Sequence, residues 1–396
     1  MYRAAVRRFV ETEIAPRRHD LEHGDVPPYE LLRGYYAQFG VGEAALQRFQ
    51  RTLDVEDGRP IVDEPAPTAA EKLIPIIEMC RWCPGMVTAM GVSVGLTASA
   101  ILRAGTRAQR ERWVPDLLTL DKIGSWAITE PDSGSDAFGG MRSTARWDGD
   151  GFILNGQKTF ITNGPHADTV VFICRLDDGR PVHERDVVTF VLDRGMDGLM
   201  QTPAMRKMGM HSSPTGELFV QDLRVGHDRL LAGGERRAPM SGRDGARATF
   251  VAERASVAAM ALGIIERCLE LSVAYAAERI QFGRRIGDFQ LIQLKLAHME
   301  VARQNVENLV FRYVETVDAG RRPTFAEASA MKLYAAQSAM QVALEAVQVF
   351  GGNGYMAENH VEQLCRDAKV LQIYSGTDEM MVRAIAKDLL RGQSQT

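Results

Sequence analysis

The sequence has few cysteines and few aromatic residues, and neither sign of charge dominates it. Its 396 residues include five cysteines, and aromatic residues make up 7% of the chain. The formal net charge of −4 gives no reason to expect a nucleic acid or an anionic membrane surface as partner. Hydrophobic residues at 45% and charged residues at 25% are typical of a soluble protein with a large core, and the length suggests two or three domains.

The cysteines include one close pair, Cys80 and Cys83. A zinc site needs a second pair of ligands and a redox site needs a β-α-β context, and the sequence shows neither pattern. We interpret the pair as reduced thiols near a helix end. The N-terminal residues do not resemble a secretory signal either, because Phe9 and Val10 lead directly into acidic residues. A cytoplasmic location is therefore expected.

Long apolar runs are also scarce, and the one uncharged run extends from residue 84 to 102. It could suggest a membrane helix, but it contains three glycines and several Ser and Thr residues, and Arg81 and Arg103 flank it. We expect a buried helix and no membrane association. Within the run, Gly91 to Gly95 match the G-x-S-x-G pattern of serine hydrolases, which requires a strand-to-helix turn in a parallel sheet. A serine acyl hydrolase is therefore only a remote alternative.

The pattern of apolar residues divides the chain into three domains. Residues 1–120 have helical periodicity, with an acidic, proline-containing stretch at 50–68 that we expect to be an exposed loop. Residues 121–240 contain short β-type runs separated by turn signals, which predicts a mainly antiparallel β domain. Residues 241–396 have four long helical segments, which predicts a four-helix bundle. The fold class is thus α+β, and the helix–β–helix order argues against a doubly wound parallel sheet.

A four-helix bundle can hold two iron ions through Glu-x-x-His motifs on two helices. No histidine of this chain has a glutamate three residues before it. The sequence therefore predicts no metal site in the bundle.

Three separated segments resemble the acyl-CoA dehydrogenase family. They are WAITEPDSGSDA at 126–137 with NGQKTFITNG at 155–164, then AERASVAAMALG at 252–263 with the run from 275 to 299, and finally VQVFGGNGYMAENHVEQLCRDAKVLQIYSGTDEM at 347–380. Each motif is short, but three in register over roughly 75 to 390 are specific. The resemblance implies FAD bound between the β domain and the bundle. It also implies an acyl-CoA substrate, an electron-transferring flavoprotein as acceptor and a homotetramer whose neighbouring subunit completes the FAD site.

The same resemblance assigns roles to individual residues. It implies that Trp126, Thr129 and Ser135 contact FAD, that Ser135 also contacts the CoA moiety, and that Phe160 and Thr162 lie against the isoalloxazine ring. Arg254 and Tyr374 are implied to contact the substrate. Arg279 and Gln290 are implied to meet FAD from the next subunit. Gln348 and Gly352 are implied to belong to the loop on the adenine side, and Thr377 and Glu379 to lie near the pyrophosphate.

The reaction needs a carboxylate base in an apolar cavity, since desolvation raises its proton affinity. The commonest family pattern supplies a glutamate in a Tyr-Glu-Gly-Thr motif, whereas this chain has Ser375 at that position. A subset that resembles long-chain and isovaleryl enzymes has its glutamate on the first bundle helix, directly before an arginine. Glu253 occupies that position here and shares a helix face with Val257 and Met260. We therefore expect Glu253 to be the base, unless it is simply a first-turn glutamate favoured by the helix dipole.

The absent Tyr-Glu-Gly-Thr glutamate leaves alternatives open. The family includes flavin monooxygenases without this base and enoyl-CoA reductases that run the reaction backwards, and the chain could also be an inactive structural subunit of a mixed oligomer. The small side chain of Ser375 should leave room beside the α and β carbons. A long or branched acyl-CoA is therefore expected to be preferred over a short straight one.

Overall fold

The computed structural model describes residues 1–59, 67–231 and 242–393, with backbone alone at 242–249, 392 and 393. Helices form its N-terminal part, a twisted sheet the middle and long helices the C-terminal part. This arrangement confirms the predicted α+β class. The domain boundaries at 120 and 240 stay predictions, and residues 232–241 and 394–396 lie outside the described part of the chain.

The N-terminal helices pack mainly around apolar residues that recur at helical spacing, such as Val6, Leu32, Leu73 and Met86. A capping box in which the Thr68 and Glu71 side chains bond each other's backbone begins one of them. The helices are α1 (Tyr2–Phe9), α2 (Arg18–His23), α3 (Tyr29–Phe39), α4 (Val41–Glu56), α5 (Ala69–Cys80), α6 (Pro84–Met90), α7 (Ser99–Ala104) and α8 (Arg107–Thr119).

Two expectations for this region need correction or refinement. The stretch predicted to be a loop from residue 50 is helical to Glu56, because Phe49 and Leu53 are buried one turn apart on α4. Residues 60–66 of that stretch lie outside the described part. A π-helical segment, Gly91–Ala98, joins α6 to α7. The joined helix, Pro84–Ala104, has the length and apolar composition of a membrane span, and half of its most apolar window is buried in the protein.

The central sheet consists of β1 (Gly124–Ala127), β2 (Thr144–Asp148), β3 (Gly151–Thr162), β4 (Thr169–Asp177), β5 (Val187–Asp193), β6 (Leu199–Gln201) and β7 (Thr215–Gly226). The strand order is β1-β4-β2-β3-β7-β6, and β5 pairs with β4. Four of the pairings are antiparallel, whereas β1–β4 and β2–β4 are parallel. The sheet is therefore mainly antiparallel, as predicted. Apolar side chains such as Phe172, Phe190 and Leu218 fill its core.

The C-terminal part is built on α9 (Gly242–Glu278), α10 (Gln290–Asp318), α11 (Phe325–Phe350) and α13 (Asp378–Gln393), with a short hairpin of β8 (Ile280–Gln281) and β9 (Arg284–Arg285). A further helix that the sequence reading missed, α12 (His360–Val370), packs on α11 and α9. Helix α5 crosses α9 so closely at Gly263 that an added Cβ would lie 2.2 Å from the carbonyl oxygen of Ile77. This contact joins the N-terminal helices to the bundle.

Candidate active site

A cavity of about 1120 Å³ lies where the N-terminal helices, the sheet and the bundle meet. The face of the Pro84–Ala104 helix that carries Gly91, Gly95 and Leu102 forms one wall. The first described side chains of α9 and one face of α13 form the others. The cavity lining includes the sequence-predicted residues Trp126, Thr129, Ser135, Phe160, Thr162, Glu253, Arg254 and Tyr374.

Glu253 is half-buried on α9 and faces this cavity beside Val257 and Met260. Its Oε1 accepts a hydrogen bond of 2.6 Å from the Ser375 hydroxyl. Its Oε2 is shielded from solvent and has no hydrogen-bond partner among the described residues. Burial raises the pKa of the Glu253 carboxyl, although the Ser375 hydrogen bond and the charges of Arg254 and Lys332 oppose part of that rise. This environment strengthens Glu253 as a proton acceptor.

The segment from Tyr374 to Gly376 has an unusual backbone. Ser375 has φ +56° and Gly376 φ +92°, and a left-handed conformation is uncommon for a serine. The Tyr374 hydroxyl contacts Met260 Sδ at 3.2 Å, and the carbonyl of Gly376 accepts a 2.9 Å bond from Lys332 Nζ. From the sequence, Ser375 is expected only to be a small residue that leaves space. The structure corrects this view, since its hydroxyl is bonded to Glu253.

Arg254 follows Glu253 and is almost fully buried. Its Nη1 donates a 2.7 Å hydrogen bond to Ser329 Oγ, and its guanidinium lies 3.9 Å from the centre of the Phe325 ring. Burial lowers the pKa of Arg254 to about 10, so the side chain still carries a positive charge at neutral pH. The charge is therefore fixed beside Glu253 by contacts with α11.

The loop after β1 carries Thr129 and Ser135, and a buried ion pair anchors it. Lys158 Nζ lies 2.8 Å from Glu130 Oε1 and donates to the carbonyl of Ile128 at 3.1 Å. The Glu130 carboxylate also accepts backbone N–H bonds from residues 142 and 143 at 2.6 and 3.0 Å. Burial alone would raise the pKa of Glu130, but Lys158 and these donors outweigh it and lower that pKa. The irregular loop is thus tied to the sheet on both sides of Thr129.

Phe160 interrupts the regular pairing of β3. The register with β7 shifts between Lys158 and Ile161, and Phe160 has φ +57° with 65% of its surface exposed. Such a β-bulge redirects a side chain and is frequent next to active sites. Here it turns a large aromatic ring into the cavity beside Thr162.

These features fit a flavin. An aromatic face at Phe160, a second ring at Trp126 and hydroxyls at Thr129 and Thr162 are present together on the sheet side of the cavity. Aromatic rings stack on a planar heterocycle, and hydroxyl groups bond to its polar edge. The carboxylate of Glu253 faces the same space from the bundle side.

The remaining predicted flavin residues do not line the cavity. Arg279, Gln290, Gln348, Gly352 and Glu379 are exposed, and Thr377 is half-buried at the start of α13. The C-terminal ends of α9 and α11 are adjacent, and Arg279, Gln348 and Gly352 lie there. The Tyr275 ring stacks on Phe350 at 4.1 Å, and Asn353 Nδ2 donates to the Tyr275 hydroxyl at 2.9 Å. Arg279, Gln348 and Gly352 therefore lie in one region of the subunit, outside the cavity lining.

Two buried lysines beside the site were not identified from the sequence. Lys158 has a fully buried side chain within an apolar strand, and Lys332 has one on α11 among Ala328, Met331 and Ala335. A lysine on an otherwise apolar face was the signal that could have found both. A buried lysine is paired or hydrogen-bonded in nearly all cases, so each position indicates a nearby oxygen partner.

Two other expectations can be compared with the structure. Ser93 is buried within the π-helical segment, and its Oγ accepts a bond from the backbone N–H of Gly124 at 2.9 Å. It is not on a strand-to-helix turn, so the serine hydrolase alternative is wrong. In the described ranges, no group of His, Cys, Asp and Glu residues has the arrangement of a metal site.

Comparison with known proteins covers nearly the whole chain. Family models described as the N-terminal, middle and C-terminal domains of acyl-CoA dehydrogenase match residues 66–121, 125–223 and 241–390. A protein named acyl-CoA dehydrogenase from Bacillus subtilis (strain 168) is 34% identical over 402 residues, which cover 99% of this chain and 98% of that protein.

Solved structures agree with the sequence matches. Butyryl-CoA dehydrogenase from Megasphaera elsdenii has a TM-score of 0.85 and 32% identity, over 98% of this chain and 97% of its own. A structure described as the electron transferring flavoprotein of Acidaminococcus fermentans has a TM-score of 0.83 and 32% identity, over 99% of this chain and 97% of its own.

Proposed function

Because the chain belongs to the acyl-CoA dehydrogenase family of flavin-dependent oxidoreductases, we propose that it uses FAD to oxidise an acyl-CoA thioester to the trans-2-enoyl-CoA, with Glu253 as the base. The observation that carries this proposal is the Glu253 carboxylate itself. It faces the cavity from α9, and burial raises its pKa. A carboxylate in that setting is the group that removal of an α proton requires.

The two oxygens of Glu253 have different roles in this proposal. Oε1 is occupied by the Ser375 hydroxyl, whereas Oε2 has no partner among the described residues. Oε2 is therefore the oxygen that we assign as acceptor of the α proton. Proton transfer makes the carboxyl neutral, which is the form that burial favours. Bound FAD would supply the acceptor for the β hydrogen, which leaves as hydride. Ser375 itself is not the base, because a serine hydroxyl is too weak an acceptor at neutral pH.

Residues of the β domain are proposed to hold the flavin and the thioester. Trp126, Thr129, Phe160 and Thr162 would contact FAD, and Ser135 would contact both FAD and the CoA moiety. The bulge at Phe160 and the Lys158–Glu130 pair support these roles, because they fix an aromatic ring and the Thr129 loop before any ligand arrives. Arg254 and Tyr374 would contact the substrate from the bundle side.

We propose a long or branched acyl chain as the substrate. The cavity wall beside Tyr374 includes Gly91 and Gly95 on one face of the Pro84–Ala104 helix. A Cβ added at either glycine would meet no atom within 4 Å, so the groove is open there. Apolar side chains such as Val87, Leu96 and Leu102 line the rest of this wall. The groove is therefore suited to an extended or bulky apolar chain.

Three further parts of the proposal concern partners and location. The active form is a homotetramer in which Arg279 and Gln290 meet FAD held mainly by another subunit, and Gln348 and Gly352 belong to the loop on the adenine side of FAD. Support comes from exposed apolar residues beside them, with Phe282 94% exposed, Leu291 75% and Tyr355 81%.

Electrons then pass to an electron-transferring flavoprotein. The enzyme is cytoplasmic, which agrees with the five cysteines being free thiols.

Anaerobic titration tests this function. Protein reconstituted with FAD should lose its visible flavin absorbance when an acyl-CoA is added, and the corresponding enoyl-CoA should appear in equal amount. A panel from butyryl-CoA to palmitoyl-CoA with isovaleryl-CoA included covers the proposed substrates. Failure to bind FAD, or bound FAD that no member of the panel reduces, would overturn the proposal. The second outcome would favour a structural subunit.

A further inference from the structure

Ser375 occupies the position at which the common family motif has its base, and its hydroxyl is bonded to Glu253. The 2.6 Å distance and the burial of Glu253 Oε2 mean that one carboxylate oxygen is engaged and the other is unpartnered among the described residues. A carboxylate on a glutamate side chain rotates freely unless something fixes it. The Ser375 hydroxyl donates the hydrogen bond that orients the Glu253 carboxylate.

The backbone at Ser375 has to be held for this contact to form. Its φ of +56° lies in the left-handed region, which costs a serine free energy unless surrounding contacts fix it. The next residue, Gly376, also has positive φ, and an added Cβ there would lie 2.6 Å from Met381 Cε. Only glycine is accommodated at that point without displacing Met381.

Lys332 supplies the contact that fixes this segment. Its side chain is fully buried on α11, and Nζ donates to the carbonyl of Gly376 at 2.9 Å and lies 3.4 Å from Asp378 Oδ1. Ser329, three residues earlier on the same helix, accepts the hydrogen bond from Arg254. One face of α11 therefore binds both Arg254, which follows Glu253, and Gly376, which follows Ser375.

We propose that Ser375 is a positioning residue that orients the Glu253 carboxylate through Oε1, and that Lys332 holds the backbone from which Ser375 acts. This inference rests on the proposed role of Glu253 as base. It assigns the serine a function that differs from that of the glutamate it replaces. The serine holds Oε1, leaves Oε2 without a partner among the described residues, and stabilises the charged form of the carboxyl through a hydrogen bond.

The consequence appears in the pH dependence of the reaction. Among the side chains that the structure describes, the ionisable groups that face Glu253 or share its cavity are Arg254, Lys332, Tyr374, Arg103, Asp136, Arg383 and Lys387. Replacement of Ser375 leaves all of them in place. Burial raises the pKa of Glu253 and the Ser375 hydrogen bond lowers it, so loss of the hydroxyl raises it further. The base must be ionised to react, and the acidic limb of the rate profile should therefore move to higher pH.

The test compares Ser375→Ala and Ser375→Gly by anaerobic stopped-flow measurement of flavin reduction over a range of pH. Both variants lack the hydroxyl, but glycine adopts positive φ without strain whereas alanine does not. In both variants the acidic limb of the pH profile should lie at higher pH than in the wild type. At a pH on that limb, the rate of flavin reduction should be about tenfold lower, which is the low end of the effect of a hydrogen bond to a charged group. The KM for acyl-CoA should change little, since binding is not the step affected.

Lys332→Met removes the cation and the bond to Gly376, and it should move the limb in the same direction. Lys295→Met is the matched control, because Lys295 is in the same bundle and pairs with Glu345 on the bundle surface. It should leave the profile unchanged.

Wild-type profiles for both serine variants would overturn the inference, and so would a change confined to the alanine variant, since that points to backbone strain. An unchanged pH profile in soluble Lys332→Met would overturn the proposed role of Lys332. If Lys332→Met does not fold, the two Ser375 variants still decide the role of Ser375. Failure of the base assignment is seen separately, as a wild-type rate in Glu253→Gln.

Discussion

Lys158 and Glu130 form an ion pair of 2.8 Å with both side chains buried under the loop that carries Thr129. The pair also bonds the backbone of that loop, through the carbonyl of Ile128 and the N–H groups of residues 142 and 143. Removal of one partner from a buried pair leaves an uncompensated charge. The stability of the loop that we propose to hold the flavin therefore depends on a contact that does not itself line the cavity.

Lys158→Met should destabilise the protein by about 3–5 kcal/mol and weaken FAD retention. Thermal unfolding with and without added FAD measures both effects. Lys122→Met is the control, because Lys122 pairs with Asp116 on the exposed surface, where a pair contributes about 0–1 kcal/mol. Equal unfolding midpoints for the two variants would show that the buried pair does not anchor the loop.

The raised pKa of Glu22 should make the folded protein less stable as pH rises. It is buried, 3.8 Å from Arg366 and 3.5 Å from His211, and burial together with the charge of Asp367 raises its pKa to about 8. The unfolded chain releases this proton near pH 4.5 and the folded protein near 8. Stability from this group is thus fully present below 4.5 and is lost as pH rises from there to about 8.

Glu22→Gln should therefore be more stable than the wild type at pH 8 and gain much less at pH 5. Denaturant unfolding at the two pH values measures the difference. A variant that is destabilised equally at both would indicate that Glu22 is ionised in the folded protein and stabilises it by pairing.

Arg279→Ala should release FAD more readily while the mass of the assembly and the folding of each subunit stay unchanged. The reason is that Arg279 is exposed and lies outside the cavity lining of its own chain, so its proposed contact is with FAD of a neighbour. Flavin retention after gel filtration and light scattering test the two statements. Arg321→Ala changes another exposed arginine of the bundle and serves as control. Full FAD binding by a monomeric wild-type protein would contradict this prediction.

Gly95→Leu should narrow the open groove and lower kcat/KM for isovaleryl-CoA and long acyl-CoA thioesters by at least about tenfold, with a smaller effect on butyryl-CoA. Gly34→Leu is a matched control, since Gly34 is also a helical glycine with nothing within 4 Å of an added Cβ but is not part of the cavity wall. Highest wild-type turnover with butyryl-CoA would reject the substrate class itself.

Much of this architecture could be predicted from the sequence because its signals are local. Helical periodicity, β-type runs and turn residues indicated the order of the three regions, and the resemblance of the Glu253-Arg254 pair to one subset of the family identified the candidate base. Helix α12 was missed because a glycine-rich segment precedes its short apolar pattern.

The contacts that tune the site could not be predicted, since they join residues far apart in the chain. The bond from Ser375 to Glu253 spans 122 positions and that from Lys332 to Gly376 spans 44. The bulge at Phe160 likewise depends on how β3 pairs with β7. Such contacts follow from tertiary packing. In the sequence, Lys332 on an apolar face of α11 was the available sign of a buried polar contact.

The central claim is that Glu253 removes the α proton. Glu253→Gln keeps the size of the side chain and its ability to accept from Ser375, but it removes the basicity. Binding of FAD and acyl-CoA should stay close to wild type, and Glu315→Gln, an exposed glutamate of α10, should react normally. Adding Ser375→Glu to Glu253→Gln should restore part of the activity, because both positions face the same space.

The measurement that tests this claim most directly is single-turnover flavin reduction of Glu253→Gln, made without oxygen on the best substrate of the panel. The rate should fall by at least about 10²-fold relative to the wild type, the low end of what loss of a general base costs. A wild-type rate of flavin reduction in Glu253→Gln would contradict the account and move the base to another residue.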